Sequence, residues 1–486
     1  MCDYDARGRA GDGREKMKTP IAEFVEKYEQ SKMLRFHMPG HKGKTFLGCE
    51  GIDITEVKGA DSLYEADGII AESEETATKL FGTFRTLYST EGSSQCIRAM
   101  VYLAVTNKKQ EIRAGERSLI LAARNVHKAF LHAAALLDID VEWLWSENGS
   151  ESLCKCDISA KQLKNTLERL EKSGRKPAAV YVTSPNYLGQ QLDIESLSKV
   201  SHEHGVLFLV DNAHGAYLHF LENSEHPIDL GADLCCDSAH KTLPVLTGGA
   251  YLHIANGDIG VEDKKKRRET VRWMADRSKQ AMSLFGSTSP SYLIMASLDL
   301  CNRYMAEGYR EKLREKIEQI DNLKKDLVRQ GWKIEKTDPL KITMKVPEKA
   351  GKNISDRLRK KKIECEYAEE SYIVFMLTVE NTEEELACLR ESLGEIAGQL
   401  QLRSFDIPKA ITFPTRKGEQ ICSIRQAIFS PTETIPVREA FGRICATPTV
   451  TCPPAIPIAV AGEKIDEQAI EMFEYYGIME VDVLKK

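Results

Sequence analysis

The sequence predicts an α/β protein: a mostly parallel sheet with helices on both faces, followed by smaller α+β domains toward the C-terminus. Three observations predict it. Short apolar runs alternate with helix-length segments between Ser118 and Ile254, the pattern of strands buried on both faces. Polar and reactive residues fall directly after those runs, where open α/β sheets place their ligands. At 486 residues the chain exceeds what one core accommodates, so two or three domains are expected.

The elements follow in order. The polar, charged residues 1–18 read as a disordered tail. Thr19 caps a helix over Pro20–Lys32, with proline at its first position. Arg35–Gly43 is too rich in Gly, Pro and His for regular structure. Ser73–Phe81 reads as a helix, Thr90–Gln95 as a small-residue turn and Ile97–Val105 as an apolar helix. Strands are expected at Ser118–Ala122, Val141–Trp145, Ala178–Thr183, Val206–Val210, Leu234–Cys236 and Ala250–Ile254. Between them lie helices at His127–Leu137, Ser159–Lys172 and Ile194–His204, the last closed by Gly205. The basic run Lys264–Arg268 lacks interleaved aromatics and reads as a solvated helix start. Tyr309–Gln330 is a long charged helix. Short strands (Lys341–Val346, Ile363–Tyr367, Ile373–Leu377) and a helix near Thr382–Leu393 complete an α+β unit. Cys452–Pro457 carries too many prolines for a central strand. These readings divide the chain into a tail (1–18), an N-terminal segment (19–50), a large domain (51–305), a small α+β domain (306–405) and a C-terminal domain (406–486).

Bulk properties exclude several classes of function. A net charge of −6 gives no attraction to nucleic acid or an anionic membrane. No apolar run approaches the roughly 20 residues that span a bilayer, and the N-terminus has no apolar core of a secretory signal. The 13 cysteines show no zinc-ligand spacing and read as reduced thiols of a cytoplasmic protein. No metal is expected.

The chemistry concentrates in two segments. Leu207–Gly215 is an apolar run ending in Asp211, and Ser238–Thr242 places Lys241 between a histidine and a threonine. A strand-end aspartate with a lysine further on suits pyridoxal 5'-phosphate (PLP): the Asp keeps the pyridine nitrogen protonated and the Lys links the cofactor covalently. Gly92-Ser93-Ser94, before a helix, suits the phosphate. His127, just after a strand, suits a ring-stacking group. Each also has a structural reading: a capping box at Ser93, a packing or helix-start histidine at 127, a turn cap at Asp211, an ion pair at Lys241. Their order, each at a strand end, is the layout of the aspartate-aminotransferase-like (fold type I) PLP enzymes, with the large domain binding the cofactor.

His37–Gly43, Arg124–Lys128, Asp211–Gly215, Ser238–Leu243 and Ser287–Leu293 resemble the successive motifs of the prokaryotic Orn/Lys/Arg decarboxylase family. Phe441–Cys445 and Pro453–Ile458 resemble its C-terminal domain. The chain looks like the family's short form, beginning directly at the His-Met-Pro-Gly-His region. The resemblance implies that Lys241 carries the cofactor, Asp211 pairs with the pyridine nitrogen, and His127 stacks on the ring and assists proton transfer. It implies that Gly92, Ser93, Ser94, Ser238 and His240 hold the phosphate and that His214 lies on the other side of the ring region. Thr288 and Ser289 would approach the neighbouring subunit's phosphate, and His37 and His41 would line the entrance. The chain departs from the family at Glu91, Asn212, Asn186 and Leu246–Gly249.

A phosphate-binding loop at Gly40–Thr45 is rejected, because Met38 stands where a glycine is required. His202 and His204 are two apart on a helix, so their rings diverge. The resemblance implies a cytoplasmic homodimer, or an assembly of dimers, decarboxylating a basic L-amino acid for polyamine synthesis: arginine first, lysine or ornithine next. Another PLP reaction on the same fold (aminotransferase or lyase) and a catalytically silent regulatory paralogue are the alternatives.

Overall fold

The computed structural model describes residues 17–108, 116–147, 149, 151–257, 264–347, 350–402, 418–447 and 455–485. Most of the 1–18 tail, the acidic pair before Lys264 and the Cys452–Pro454 part of the proline-rich run lie outside the described residues.

A seven-stranded sheet organises the first half. Its strands are β1 (Arg85–Ser89), β2 (Leu119–Ala123), β3 (Asp140–Leu144), β4 (Ala179–Thr183), β5 (Leu207–Asp211), β6 (Leu234–Asp237) and β7 (Ala250–Ile254), in the order β1-β7-β6-β5-β4-β2-β3. Only β7 runs against its neighbours. β2, β4, β5, β6 and β7 are buried throughout or nearly so, as expected of strands covered on both faces. The helices of this half are α1 (Pro20–Gln30), α2 (Ile69–Leu80), α3 (Ser93–Lys108), α4 (Lys128–Leu137), α5 (Ala160–Lys172), α6 (Ile194–Glu203), the short α7 (Ala239–Thr242), α8 (Lys264–Ser283) and α9 (Tyr292–Ala306).

The long helix α10 (Tyr309–Gln330) leads to a four-stranded antiparallel sheet of β8 (Lys333–Ile334), β9 (Lys341–Lys345), β10 (Tyr367–Ala368) and β11 (Tyr372–Met376), with α11 (Gly351–Lys360) and α12 (Glu383–Leu400). A last unit holds α13 (Ile424–Phe429), the paired strands β12 (Thr432–Pro436) and β13 (Glu480–Leu484), and α14 (Glu467–Tyr475).

Three expectations shift, each for a physical reason. The strand expected at Ile363–Tyr367 is reduced to Tyr367–Ala368: Lys362 turns left-handed (φ 60°) and the Ile363 amide returns to Leu358 O at 3.0 Å, closing α11 instead. The helix expected from Ser73 begins at Ile69, because the buried Asp61 carboxylate accepts from the amides of Gly68 and Ile70 at 2.9 and 3.0 Å. The basic run does open α8, but Arg267 turns inward and pairs with buried Asp233.

Candidate active site

The carboxyl ends of β1, β2, β4, β5 and β6 and the entry to β7 surround a cavity of about 260 Å³. Gly92, Ser93, Ser94, His127, Asp211, His214, Ser238, His240 and Lys241 all line it. Nine sequence-predicted residues, spread from 92 to 241, thus meet in one place.

One end is built for an anion. After β1 the chain turns through Gly92 (φ 71°) and enters α3 at Ser93, so the first amides of a long helix face the cavity with two hydroxyls. Ser238 Oγ lies 2.8 Å from Ser93 Oγ. The loop before β7 supplies the floor. The Gly92 amide donates to Gly248 O at 2.7 Å, and Gly249 O accepts from the His240 amide at 3.2 Å and from its Nδ1–H at 2.9 Å. Gly248 has φ 101°, and a Cβ there would come within 2.8 Å of Thr90 O. The departure from the family at Gly248–Gly249 is therefore a close backbone approach beneath the helix N-terminus.

The other end holds charge. Asp211 closes β5 at 2% exposure; it accepts from the Ala213 amide at 3.2 Å and from Tyr181 Oη at 3.3 Å. Burial pushes its carboxyl pKa up, against the pull of the Lys241 charge. Lys241 Nζ lies 3.1 Å from His214 Nε2. Burial, reinforced by Lys241, holds His214 far below the usual histidine range, so the contact is an N–H donated to a neutral imidazole.

His127 has two roles. It lines the cavity, and it is the N-cap of α4, its Nδ1 accepting from the Ala129 amide at 3.2 Å. That bond leaves the proton of the neutral ring on Nε2. Burial first, then Lys241, drives its pKa down to about 3.

Beneath the floor, Asp237 at the end of β6 ties these strands together. Its Oδ2 meets His226 Nε2 at 3.0 Å and His253 Nε2 at 3.1 Å, and its Oδ1 accepts from Asn212 Nδ2 at 2.7 Å. The His226, Asp237 and His253 ligand atoms lie close enough together to suggest a metal site. The protons argue otherwise: His226 Nδ1 accepts from the Ile228 amide at 3.3 Å, so Nε2 carries hydrogen and donates to Asp237. Burial alone would raise the Asp237 pKa, but the two histidines outweigh it and hold the carboxyl ionised. Asn212, another departure from the family, is thus the partner of Asp237; its Oδ1 also explains Gly215, where a Cβ would meet it at 2.1 Å.

The remaining predicted residues lie elsewhere. His37 contacts Tyr28 Oη at 2.6 Å and His41 contacts Asp53 at 3.2 Å, on a segment whose Leu34, Phe36, Phe46 and Leu47 are 78–93% exposed. Thr288 and Ser289 are exposed. None of the four lines the cavity of its own chain. The sequence reading missed Asn125, Thr183, Tyr187, Ala213, Ala455 and Ile456, which do. Asn125, Ala213, Ala455 and Ile456 lie inside motifs named above; apolar wall residues carry no chemical signal of their own.

Comparison with known proteins gives the family and the fold. Residues 19–353 match the Orn/Lys/Arg decarboxylase major domain, and residues 413–482 match that family's C-terminal domain. An arginine decarboxylase of Bacillus subtilis is 28% identical over 93% of this chain and 92% of its own length. The uncharacterized protein YaaO of the same organism is 28% identical over 94% and 93%. Among solved structures, the Francisella novicida lysine decarboxylase LdcF superposes with a TM-score of 0.77 at 18% identity, covering 96% of this chain and 81% of that one. A Sphingomonas wittichii serine palmitoyltransferase shares the fold more distantly, with a TM-score of 0.52 at 15% identity over 78% of this chain and 84% of that one. With both domain models matched in order over most of its length, the chain belongs to the Orn/Lys/Arg decarboxylase family of PLP-dependent amino-acid decarboxylases.

Proposed function

We propose that this enzyme binds PLP in the cavity and converts a basic L-amino acid, arginine first and lysine or ornithine next, to the corresponding amine and CO2 for polyamine synthesis. The observation that carries the reading is a single cavity with a helix N-terminus and hydroxyls at one end and buried Asp211 with Lys241 at the other. The residues suit the cofactor. A carboxylate whose pKa is raised by burial gains from a protonated ring nitrogen, and the α3 amides gain from a phosphate.

When bound, PLP supplies the electron sink for the pair left behind as CO2 departs. The protein does the rest. Asp211 keeps the ring nitrogen protonated. Gly92, Ser93, Ser94, Ser238 and His240 hold the phosphate, and His127 lies against the ring. Lys241 Nζ anchors the cofactor, yields to the substrate amine and afterwards returns a proton to Cα. A neutral His127 whose hydrogen sits on Nε2 is a weak acid, so the proton delivery falls to Lys241, with His214 accepting from it. Glu366 is exposed and outside the cavity lining, but its carboxylate accepts from the cavity residue Tyr187 at 2.6 Å, and we assign it to the substrate's distal cation. That contact is the feature favouring a basic side chain, and the preference for arginine follows the named relatives.

The exposed apolar segment around Phe36 and Leu47 fits a homodimer interface, which would bring His37, His41 and Thr288 to the partner's cavity. Free buried thiols such as Cys154 and Cys235 fit the cytoplasm. The test is CO2 release from arginine, lysine and ornithine by purified protein carrying the cofactor's visible absorption band. Lys241→Ala should lose both the band and the activity; a variant that keeps the covalently bound cofactor overturns the assignment.

A further inference from the structure

The cavity has a wall from a distant part of the sequence. Ala455 and Ile456, more than 200 positions after Lys241 in chain order, line it beside His127. Their placement is specific. The Lys128 amide, at the start of α4, donates to Ala455 O at 3.1 Å. Arg124, at the end of β2, donates from Nη1 to Pro457 O and from Nη2 to Ile458 O, each at 3.0 Å, and from Nη2 to Glu463 at 3.3 Å. Its guanidinium is stacked against Trp143 and Trp145, 5.2 and 5.1 Å from the ring centroids, and is 8% exposed. Glu463 in turn accepts from the Val460 amide at 2.9 Å. The planar guanidinium reaches two carbonyls and a carboxylate while stacked on two tryptophans; a lysine ammonium has no plane to stack.

Ile456 is also where three parts of the chain meet. It is 6% exposed and packs in one apolar cluster with Leu188, which follows β4, and with Tyr367 and Val374 of the small sheet. Tyr187 stands against Tyr367 at 5.3 Å between ring centroids and holds Glu366 through its hydroxyl. Ile456 therefore borders the cavity on the side of Tyr187 and the small sheet.

We propose that Ala455–Ile458, clamped by Arg124, forms a wall of the substrate pocket and that Ile456 sets the length of basic side chain the pocket accepts. This rests on the decarboxylase reading above. Arg124 acts as a positioning residue: it touches the wall, and the wall touches the substrate. Apolar walls discriminate by methylenes, each worth about 10-fold or more in kcat/KM.

The experiment compares the full-length holoenzyme with Ile456→Ala, Arg124→Lys and a docking control, Arg425→Ala. Arg425 ties α13 to α4 through Ala135 O and Leu136 O at 3.0 and 3.2 Å and lies outside the cavity. Steady-state kinetics are measured on arginine, lysine and ornithine. Binding of agmatine, cadaverine and putrescine is read from the shift of the cofactor's visible band. Ile456→Ala should move the arginine-to-ornithine ratio of kcat/KM about 10-fold toward arginine, and Arg124→Lys should raise KM more than it lowers kcat. Arg425→Ala should lower thermal stability and leave the ratio unchanged. Equal ratios in all four proteins would overturn the wall. If no substrate releases CO2 but the amine ratios still respond to Ile456→Ala, the decarboxylase reading fails and the wall stands. If no amine binds, both fall.

Discussion

Replacing Asp237 by Asn tests whether the floor of the cavity is held by a buried charge and the hydrogen-bond donors around it. Asp237 is fully buried and accepts four hydrogen bonds, two from imidazole N–H groups, one from Asn212 and a weak one from the Cys235 thiol at 3.6 Å. Asparagine can turn its oxygen to the histidines, but its amide hydrogens then face Asn212 Nδ2. One buried donor loses its acceptor, at about 1–3 kcal/mol, and the two histidine bonds lose their charge-assisted component, about 1 kcal/mol together. The expected loss is about 2–4 kcal/mol, seen as a fall of several degrees in the thermal midpoint and a lower denaturation midpoint followed by tryptophan fluorescence. The second substitution is decisive. Asn212→Asp on the Asp237→Asn background places a carboxylate opposite the new amide and leaves no N–H donor between the two side chains without an acceptor. The double variant should recover about 1–2 kcal/mol relative to Asp237→Asn. Acid should also erase the difference. A carboxyl held low in the fold stabilises above its unfolded pKa and loses that contribution as pH falls through its folded value. The gap between wild type and Asp237→Asn should therefore stay constant near neutrality and narrow progressively as pH falls below about 4. A double variant no better than the single one would refute the network, as would a loss of stability on treatment with a strong chelator.

Three further outcomes are expected. His127→Asn keeps a side-chain acceptor for the Ala129 amide, so it should lose activity with little change in stability, whereas His127→Ala should also lose about 1 kcal/mol of helix capping, measured by thermal denaturation. Gly248→Ala should weaken cofactor affinity at least 10-fold in equilibrium dialysis, because its Cβ would strike Thr90 O at 2.8 Å in a left-handed backbone. Asp299 caps α1 through the amides of Ile21 and Ala22 at 2.9 and 3.1 Å, and burial raises its pKa to about 6. The native state then holds its proton more tightly than the unfolded chain, so wild-type stability relative to Asp299→Asn should decline as pH rises from about 4 to about 6, followed by protease cleavage after the N-terminal helix.

The reactive edge of the sheet was legible because chemistry leaves a residue type behind: Asp211, Lys241 and His127 each follow an apolar run. β1 was not, although the Gly92–Ser94 turn hangs from it. Arg85-Thr-Leu-Tyr-Ser89 pairs only with β7 and mixes polar with apolar residues, so it shows neither an apolar run nor clean alternation. The start of α3 was placed at Ile97, since Ser93, Ser94 and Gln95 carry no apolar period; their value is their position at the helix end. Asp61 and Asp299 cap helices from 9 and 278 residues away, distances at which no local signature operates. The same holds for Ile456, an ordinary aliphatic residue until the fold sets it beside Tyr367.

The clamp between Arg124 and the Pro457–Ile458 carbonyls also orders events during synthesis. A chain emerging from the ribosome presents the phosphate turn, Asp211 and Lys241 long before Ile456 exists. Domains fold in the order in which they are made, so the large sheet can assemble a cofactor seat that is still open on one side. The wall arrives only when the segment carrying Ile456 is made, across a contact 334 residues apart in sequence that is slow to close. A nascent chain, or one truncated before Ala455, would therefore seat its cofactor in a half-walled chamber, and on the proposal above it would gain selectivity only once that segment docks.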